Sequence, residues 1–75
     1  MISIAYTKSD ISPTEKNDLG LVAHQNREYI EHIGSWAKAE RIVKKLIAQG
    51  NYDIFIDKYD RDNDLIDYKG YNQKT

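Results

Sequence analysis

The chain has 75 residues, 40% of them hydrophobic, and its 11 Lys and Arg residues against 12 Asp and Glu residues leave a net charge of -1. This length predicts one domain, residues 1–75, which hides only roughly 60% of its unfolded surface and leaves little interior for a catalytic pocket. The balanced charge argues against nucleic-acid or membrane binding driven by net charge.

The chain contains no cysteine, which excludes both a disulfide framework and a thiolate metal site. Its first residues lack the basic start and the apolar run of a signal peptide, and no segment approaches membrane-spanning length. We therefore expect a cytoplasmic protein without a membrane partner, stabilised by its hydrophobic core alone.

The first predicted element is a strand, because Ile2, Ile4 and Tyr6 alternate with small or polar residues. Residues 9–18 contain a Ser-Pro-Thr-Glu sequence that could begin a helix. No apolar periodicity follows it, so a long loop is the favoured interpretation.

Residues 19–33 are compatible with two short strands around a turn at residues 25–28, or with one poor helix. Gly20 and the polar break favour the strands. A tight turn there would put His24 and His32 on opposite faces of the hairpin, which excludes a two-histidine site.

The pattern of residues 35–49 predicts a helix, with Ser35 as its N-terminal cap. Gly50, which can adopt a left-handed backbone conformation, is expected to end it. Such a helix is about 22 Å long at ~1.5 Å per residue. Its apolar stripe, with spacings of three and four, consists of Trp36, Ala39, Ile42, Val43, Leu46 and Ile47. Its exposed side carries Lys38, Arg41, Lys44 and Lys45.

Two alternating runs, residues 52–59 and 65–71, flank the turn-forming residues 60–64 and predict a β-hairpin. Residues 51–68 hold six aspartates against one lysine and one arginine, whereas residues 35–50 hold four basic residues against one glutamate. The helix and the hairpin therefore carry opposite charge.

Together these elements predict an α+β fold: a mostly antiparallel β-sheet with a single long helix packed on one face, in the order β-(β-β)-α-β-β, and a frayed tail at residues 72–75. Such sheets can leave their other face in solvent. The residues predicted to face the helix are Ile2, Ile4, Tyr6, Tyr52, Ile54, Ile56, Ile66 and Tyr68. Those predicted to face away are Phe55, Tyr59, Leu65 and Tyr71.

No pattern of catalytic residues is evident, since the sequence has no Ser-His-Asp set, Gly-rich phosphate loop or zinc spacing. A lone histidine beside Glu31 could act as a base in a small nuclease, but a surface histidine is the favoured interpretation. We therefore expect no enzyme and no cofactor.

The aspartates at 60, 62 and 64 resemble the first half of a calcium loop. Leu65 and Tyr71 stand where that loop needs glycine and a bidentate glutamate. An acidic hairpin tip is therefore the predicted structure, without a metal.

Aspartates interleaved with aromatic residues suggest a surface that binds a protein partner. Spaced carboxylates can imitate a run of phosphates in a basic groove, while exposed aromatic rings anchor an interface. The expected contact residues are Asp53, Phe55, Asp57, Tyr59, Asp60, Asp62, Asp64 and Tyr71. In the alternative interpretation, the aspartates protect edge strands from pairing and the loop at residues 9–18 covers the rings.

A helix with Ser35-x-x-x-Ala39-x-Arg41-Ile42, between a strand and a hairpin, resembles the layout of small phage-encoded inhibitors of host defence, including anti-CRISPR proteins. The resemblance covers residue 35 to about residue 71. It implies a stoichiometric, non-enzymatic inhibitor of a host nucleoprotein complex.

The expected partner is a protein with a basic surface, and a homodimer across sheet faces is a second expectation. The alternative function is a small nucleic-acid-binding domain that uses the basic helix face.

Overall fold

The computed structural model describes residues 1–10 and 27–73. Within these ranges a four-stranded antiparallel sheet, ordered β2-β1-β3-β4, packs one face against a single helix. The elements are β1 (Ile2–Thr7), β2 (Arg27–Ile33), α1 (Trp36–Ala48), β3 (Tyr52–Tyr59) and β4 (Leu65–Tyr71). The predicted α+β class is confirmed. The candidate helix start in residues 12–15 and the first of the two short strands lie outside the described residues.

The helix α1 begins and ends as predicted. The Ser35 hydroxyl accepts a hydrogen bond from the Lys38 backbone N–H at 3.1 Å, which satisfies one free donor of the first turn. Beyond the last turn, Gly50 has a φ of 87°, a left-handed conformation that glycine adopts without a steric penalty. Ile47 is 41% exposed and therefore lies at the margin of the apolar stripe.

The hydrophobic core lies between α1 and the sheet. Its buried members are Ile2, Ile4, Ile33, Ala39, Val43, Leu46, Ile54 and Ile56, and the partly buried residues around them are Tyr6, Ile30, Trp36, Ile42 and Tyr71. The helix packs mainly against β1, β3 and β2, so that β4 forms a less covered edge of the sheet.

The prediction of a turn at residues 25–28 is wrong for Arg27 and Glu28. Both residues belong to β2, where Arg27 is paired with Thr7 and Glu28 with Tyr6. The Arg27 guanidinium donates a hydrogen bond to the Thr7 hydroxyl in β1, and Glu28 forms a 3.4 Å ion pair with Lys8 just beyond β1. These tertiary contacts override the turn preference of the local sequence. His24 lies outside the described residues, and the exposed His32 has a left-handed φ of 58°.

The predicted orientation of β4 is also wrong, because its side chains are reversed. Tyr71 is paired with Ile54 and packs against the core, whereas Tyr68 is paired with Asp57 on the opposite face. The register shifts where β3 enters the hairpin turn, and this shift makes Ile66 an extra residue in β4. The turn thus sets the register, and one residue of slip inverts a whole strand.

A second irregularity moves Tyr52 away from its predicted place facing the helix. Asp53 has a φ of 48°, and the register between β1 and β3 shifts between the pairs formed by Ala5 and Thr7. Tyr52 is therefore paired with Thr7 and is buried outside the core cluster.

Candidate protein-binding surface

The face of the sheet opposite α1, here called the outer face, is built by cross-strand pairs from all four strands. Residues paired directly across antiparallel strands project to the same side. The register therefore places on the outer face Arg27, Tyr29, Ser3, Ala5, Thr7, Phe55, Asp57, Tyr68 and Gly70. This set mixes aromatic, acidic and small residues, and it contains one arginine.

Arg27 fixes one end of the outer face by spanning three strands. Its Nη1 donates to the Thr7 hydroxyl at 3.2 Å, and its Nη2 donates to the Asp53 carbonyl at 2.7 Å. The guanidinium also lies 5.8 Å from the centre of the Phe55 ring, a cation–π arrangement. A planar group with several donors suits this combination of contacts, and an ammonium group does not.

Gly70 leaves space for the half-buried Phe55 ring on the neighbouring strand. A Cβ atom at Gly70 would lie 2.9 Å from Phe55 Cε1 and would collide with Nε2 of Gln73. The cross-strand pair of Phe55 and Gly70 therefore requires a residue without a side chain at position 70.

A depression of about 300 Å³ lies on the outer face near the hairpin end. The residues that line it include Ser3, Tyr29, Glu31, Asp57, Tyr59 and Asn63. Its carboxylates come from strands on either side of β1, and its two phenol rings come from the same two strands. Acidic groups combined with aromatic rings provide the chemistry that holds an ammonium or guanidinium group.

The Asp57 carboxyl is electrostatically perturbed within this depression. Burial raises the pKa of Asp57, and the positive charge of Arg27 offsets only part of that rise. The carboxylate thus loses some solvation and is incompletely compensated within the protein. A cation bound in the depression would relieve that cost.

The hairpin tip is stabilised by Asp60. Its Oδ1 accepts the backbone N–H of Asp62 at 2.9 Å and that of Asp64 at 3.0 Å. Oxygens of all three carboxylates lie within 4.8 Å of one another, which makes the tip strongly negative. Leu65 and Tyr71, which would have to complete a calcium loop, belong to β4.

The structure brings together some of the predicted contact residues and separates others. Phe55 and Asp57 lie on the outer face, and Tyr59 lines the depression, while the aspartates of the tip lie just beyond it. Asp53 is only 8% exposed and Tyr71 packs against the core, so neither is available as an exposed contact.

The sequence-based prediction misses three outer residues, because Arg27 lies in the predicted turn and the short strand that holds Tyr29 and Glu31 is assigned no outer face. Arg27, Tyr29 and Glu31 occur at period two, and that spacing is the signal that could have placed them on one face of a strand.

The basic residues of α1 lie on a different surface. Lys38, Arg41, Lys44 and Lys45 are all exposed, and α1 lies across the sheet from the outer face. None of them forms an ion pair with a carboxylate within the described parts of the chain.

No helix in residues 1–10 and 27–73 is long and apolar enough to cross a membrane.

No protein-family model, curated protein or solved structure matches this chain.

Proposed function

We propose that this protein is a non-enzymatic protein-binding module whose outer face holds basic side chains of a partner. The observation that carries the proposal is the depression in which Glu31 and Asp57 accompany Tyr29 and Tyr59. In its most concrete form, the protein is a cytoplasmic, phage-type inhibitor, similar to anti-CRISPR proteins, of a nucleic-acid-binding host complex.

A cation gains two kinds of interaction in this depression. The carboxylates of Glu31 and Asp57 attract a positive charge, and incomplete solvation of Asp57 strengthens that attraction relative to a fully exposed acid. The tyrosine rings can pack against a guanidinium plane or the methylene groups of a lysine. Together these groups favour a basic side chain over a neutral one.

The acidic tip extends this surface beyond the depression. Asp60, Asp62 and Asp64 continue the negative charge at the hairpin end. A groove that normally binds nucleic acid is lined with Lys and Arg and attracts a spaced series of negative charges. Such a groove fits both the charge and the extent of the surface, which supports an inhibitor of a nucleoprotein complex.

A second candidate function is nucleic-acid binding by α1. The observation that favours it is the exposure of Lys38, Arg41, Lys44 and Lys45 without carboxylate partners in the described residues. Against it, four positive charges are a small footprint for a phosphate backbone, and the aspartates elsewhere repel the same ligand.

Binding of a labelled oligo-arginine peptide, measured by fluorescence anisotropy at low salt, tests the proposed surface. Replacing Glu31 with Gln and Asp57 with Asn removes two charges from the depression and should weaken binding at least about tenfold. The matched control replaces Asp10 with Asn and Glu40 with Gln, two exposed acids that do not line the depression. The control should change affinity less than about threefold, by general charge alone.

Equal weakening in both double variants would show that net charge, and not the depression, attracts the peptide, and would overturn the proposal. Short DNA and RNA duplexes provide the comparison with the second function. Duplex binding tighter than micromolar, abolished by neutralising Lys38, Arg41, Lys44 and Lys45, would favour the nucleic-acid domain instead.

A further inference from the structure

The β4 strand forms one edge of the sheet and exposes large apolar side chains. Leu65 is 50% exposed, Ile66 is 55% exposed and Tyr68 is 64% exposed. Within the described residues, no strand pairs with its free edge. Such an edge presents unpaired backbone groups to any strand that can approach it.

The hydrogen bonds of the sheet show which groups of β4 are free. The Tyr59 N–H donates to the Met1 carbonyl, so the backbone groups of Tyr59 point toward β1. Because the backbone groups of successive residues in a strand point to opposite neighbours, those of Ile56 and Lys58 point toward β4. Their partners, Lys69 and Asp67, therefore bond inward to β3. It follows that the backbone groups of Tyr68 and Gly70 point outward.

One side-chain contact supports this assignment independently. The Tyr68 N–H donates to Oδ1 of Asp67 at 2.9 Å and is thus directed to a local acceptor rather than to β3. Asp67 thus accepts a hydrogen bond from a donor that lies at the free edge.

We infer that β4 pairs with the β4 strand of a second copy of this chain, antiparallel and about a two-fold axis at Tyr68. In this register Tyr68 is opposite its own copy, and their outward backbone groups bond to each other, while Ile66, at the bulge, is opposite Gly70. Asp67 is then opposite Lys69 of the second copy, and Lys69 is opposite its Asp67. These two ion pairs occupy non-hydrogen-bonded positions, where side chains approach most closely.

Charge selects this register over its neighbours. Moving the axis to Asp67 would put two aspartates directly opposite each other, and moving it to Lys69 would do the same with two lysines. Like charges in directly opposed positions are destabilising, whereas the axis at Tyr68 gives two opposite-charge pairs and one tyrosine pair. An interface of this kind is isologous and closes after two copies.

The dimer joins the two outer faces into one eight-stranded surface. Tyr68, which is paired with Asp57 on that face, stands at the centre beside its own copy. The inference does not depend on what the depression binds. It does predict that a partner can be engaged by two depressions at once.

Sedimentation equilibrium of the full chain, up to about 1 mM because a single strand pair gives a weak interface, tests the inference. The unchanged protein should dimerise. Asp67→Lys alone opposes two lysines, and Lys69→Asp alone opposes two aspartates, so each should weaken dimerisation at least about tenfold. A 1:1 mixture of the two variants should form dimers, since every pair is then complementary.

The exposed Arg61 in the hairpin turn gives a matched control, because Arg61→Asp makes the same charge change as Lys69→Asp and should dimerise like the unchanged protein. A protein that stays monomeric at about 1 mM would overturn the inference. So would dimers that survive both single reversals. If those dimers were instead lost on replacing Phe55 and Tyr59 with Ser, the interface would be the outer face.

Discussion

The two faces of this sheet differ in how directly the sequence encodes them. The face against α1 is a set of aliphatic residues at regular spacings, and Ile4, Ile54 and Ile56 are fully buried there. The outer face joins residues such as Arg27, Asp57 and Tyr68, which are far apart in the chain and meet only through strand register. Hydrophobic burial determines the first face, and pairing geometry determines the second.

The largest expected effect lies on the face against α1. Leu46→Ala removes a buried side chain between α1 and the sheet, and should lower the free energy of unfolding by about 2 to 5 kcal/mol. Urea titration gives the value. The control is Ile47→Ala on the same helix, which is 41% exposed and should cost less than about 1.5 kcal/mol. Similar losses in both variants would contradict the assigned helix face.

An intermediate effect is expected at the arginine that organises the outer face. Arg27→Lys keeps the charge but cannot reproduce contacts to the Thr7 hydroxyl, the Asp53 carbonyl and the Phe55 ring together. The free energy of unfolding should fall by about 1 to 3 kcal/mol. Arg41→Lys, an exposed change on α1, is the control and should have almost no effect. If Arg27→Lys also left the free energy of unfolding almost unchanged, Arg27 would not hold the three strands together.

These contrasts explain what the sequence could predict. The helix, its cap and its stop follow from local rules, as do the apolar sides of β1 and β3. The orientation of β4 does not, because an extra residue at Ile66 depends on how the turn at residues 60–64 closes. The same holds for Tyr52, which is displaced by the left-handed backbone of Asp53. Aspartate and asparagine tolerate that conformation without requiring it, so composition alone does not locate the shift.

The outer surface was therefore only partly predictable. Phe55, Asp57 and Tyr59 were identified from alternation within one strand. Arg27, Tyr29 and Glu31 belong to the same surface only because β2 pairs with β1, and local preference favoured a turn in part of that segment. Long-range pairing overrides such weak local preferences.

A smaller effect is expected at the residue whose orientation was reversed. Tyr71 packs against the core, and its buried hydroxyl has no hydrogen-bond partner among the described residues. Tyr71→Phe removes this group and should leave the free energy of unfolding unchanged or raise it by up to about 1 kcal/mol. Tyr68→Phe, at an exposed position on the other face, is the control. A clear loss for Tyr71→Phe would mean that the hydroxyl is bonded in solution.

The smallest effect concerns the pH dependence of stability on the outer face. Burial raises the pKa of Asp57 above its ordinary value of 3.8, with partial opposition from Arg27. A raised pKa means that folding favours the protonated acid. The stability that protonation of Asp57 contributes is therefore fully present below pH 3.8 and is lost as the pH rises through the raised pKa.

Asp57→Asn keeps the neutral form at every pH, and should therefore be more stable than the unchanged protein near pH 7, by less than about 1 kcal/mol, since the site is partly solvated. The difference should shrink as the pH falls toward 3.8, where the unchanged protein also becomes protonated. Thermal unfolding between pH 3 and pH 8 measures it, and Asp62→Asn at the exposed hairpin tip shows the effect of simply losing one surface charge. A stability loss at neutral pH in Asp57→Asn would show that the attraction of the Arg27 charge outweighs the burial of the carboxylate.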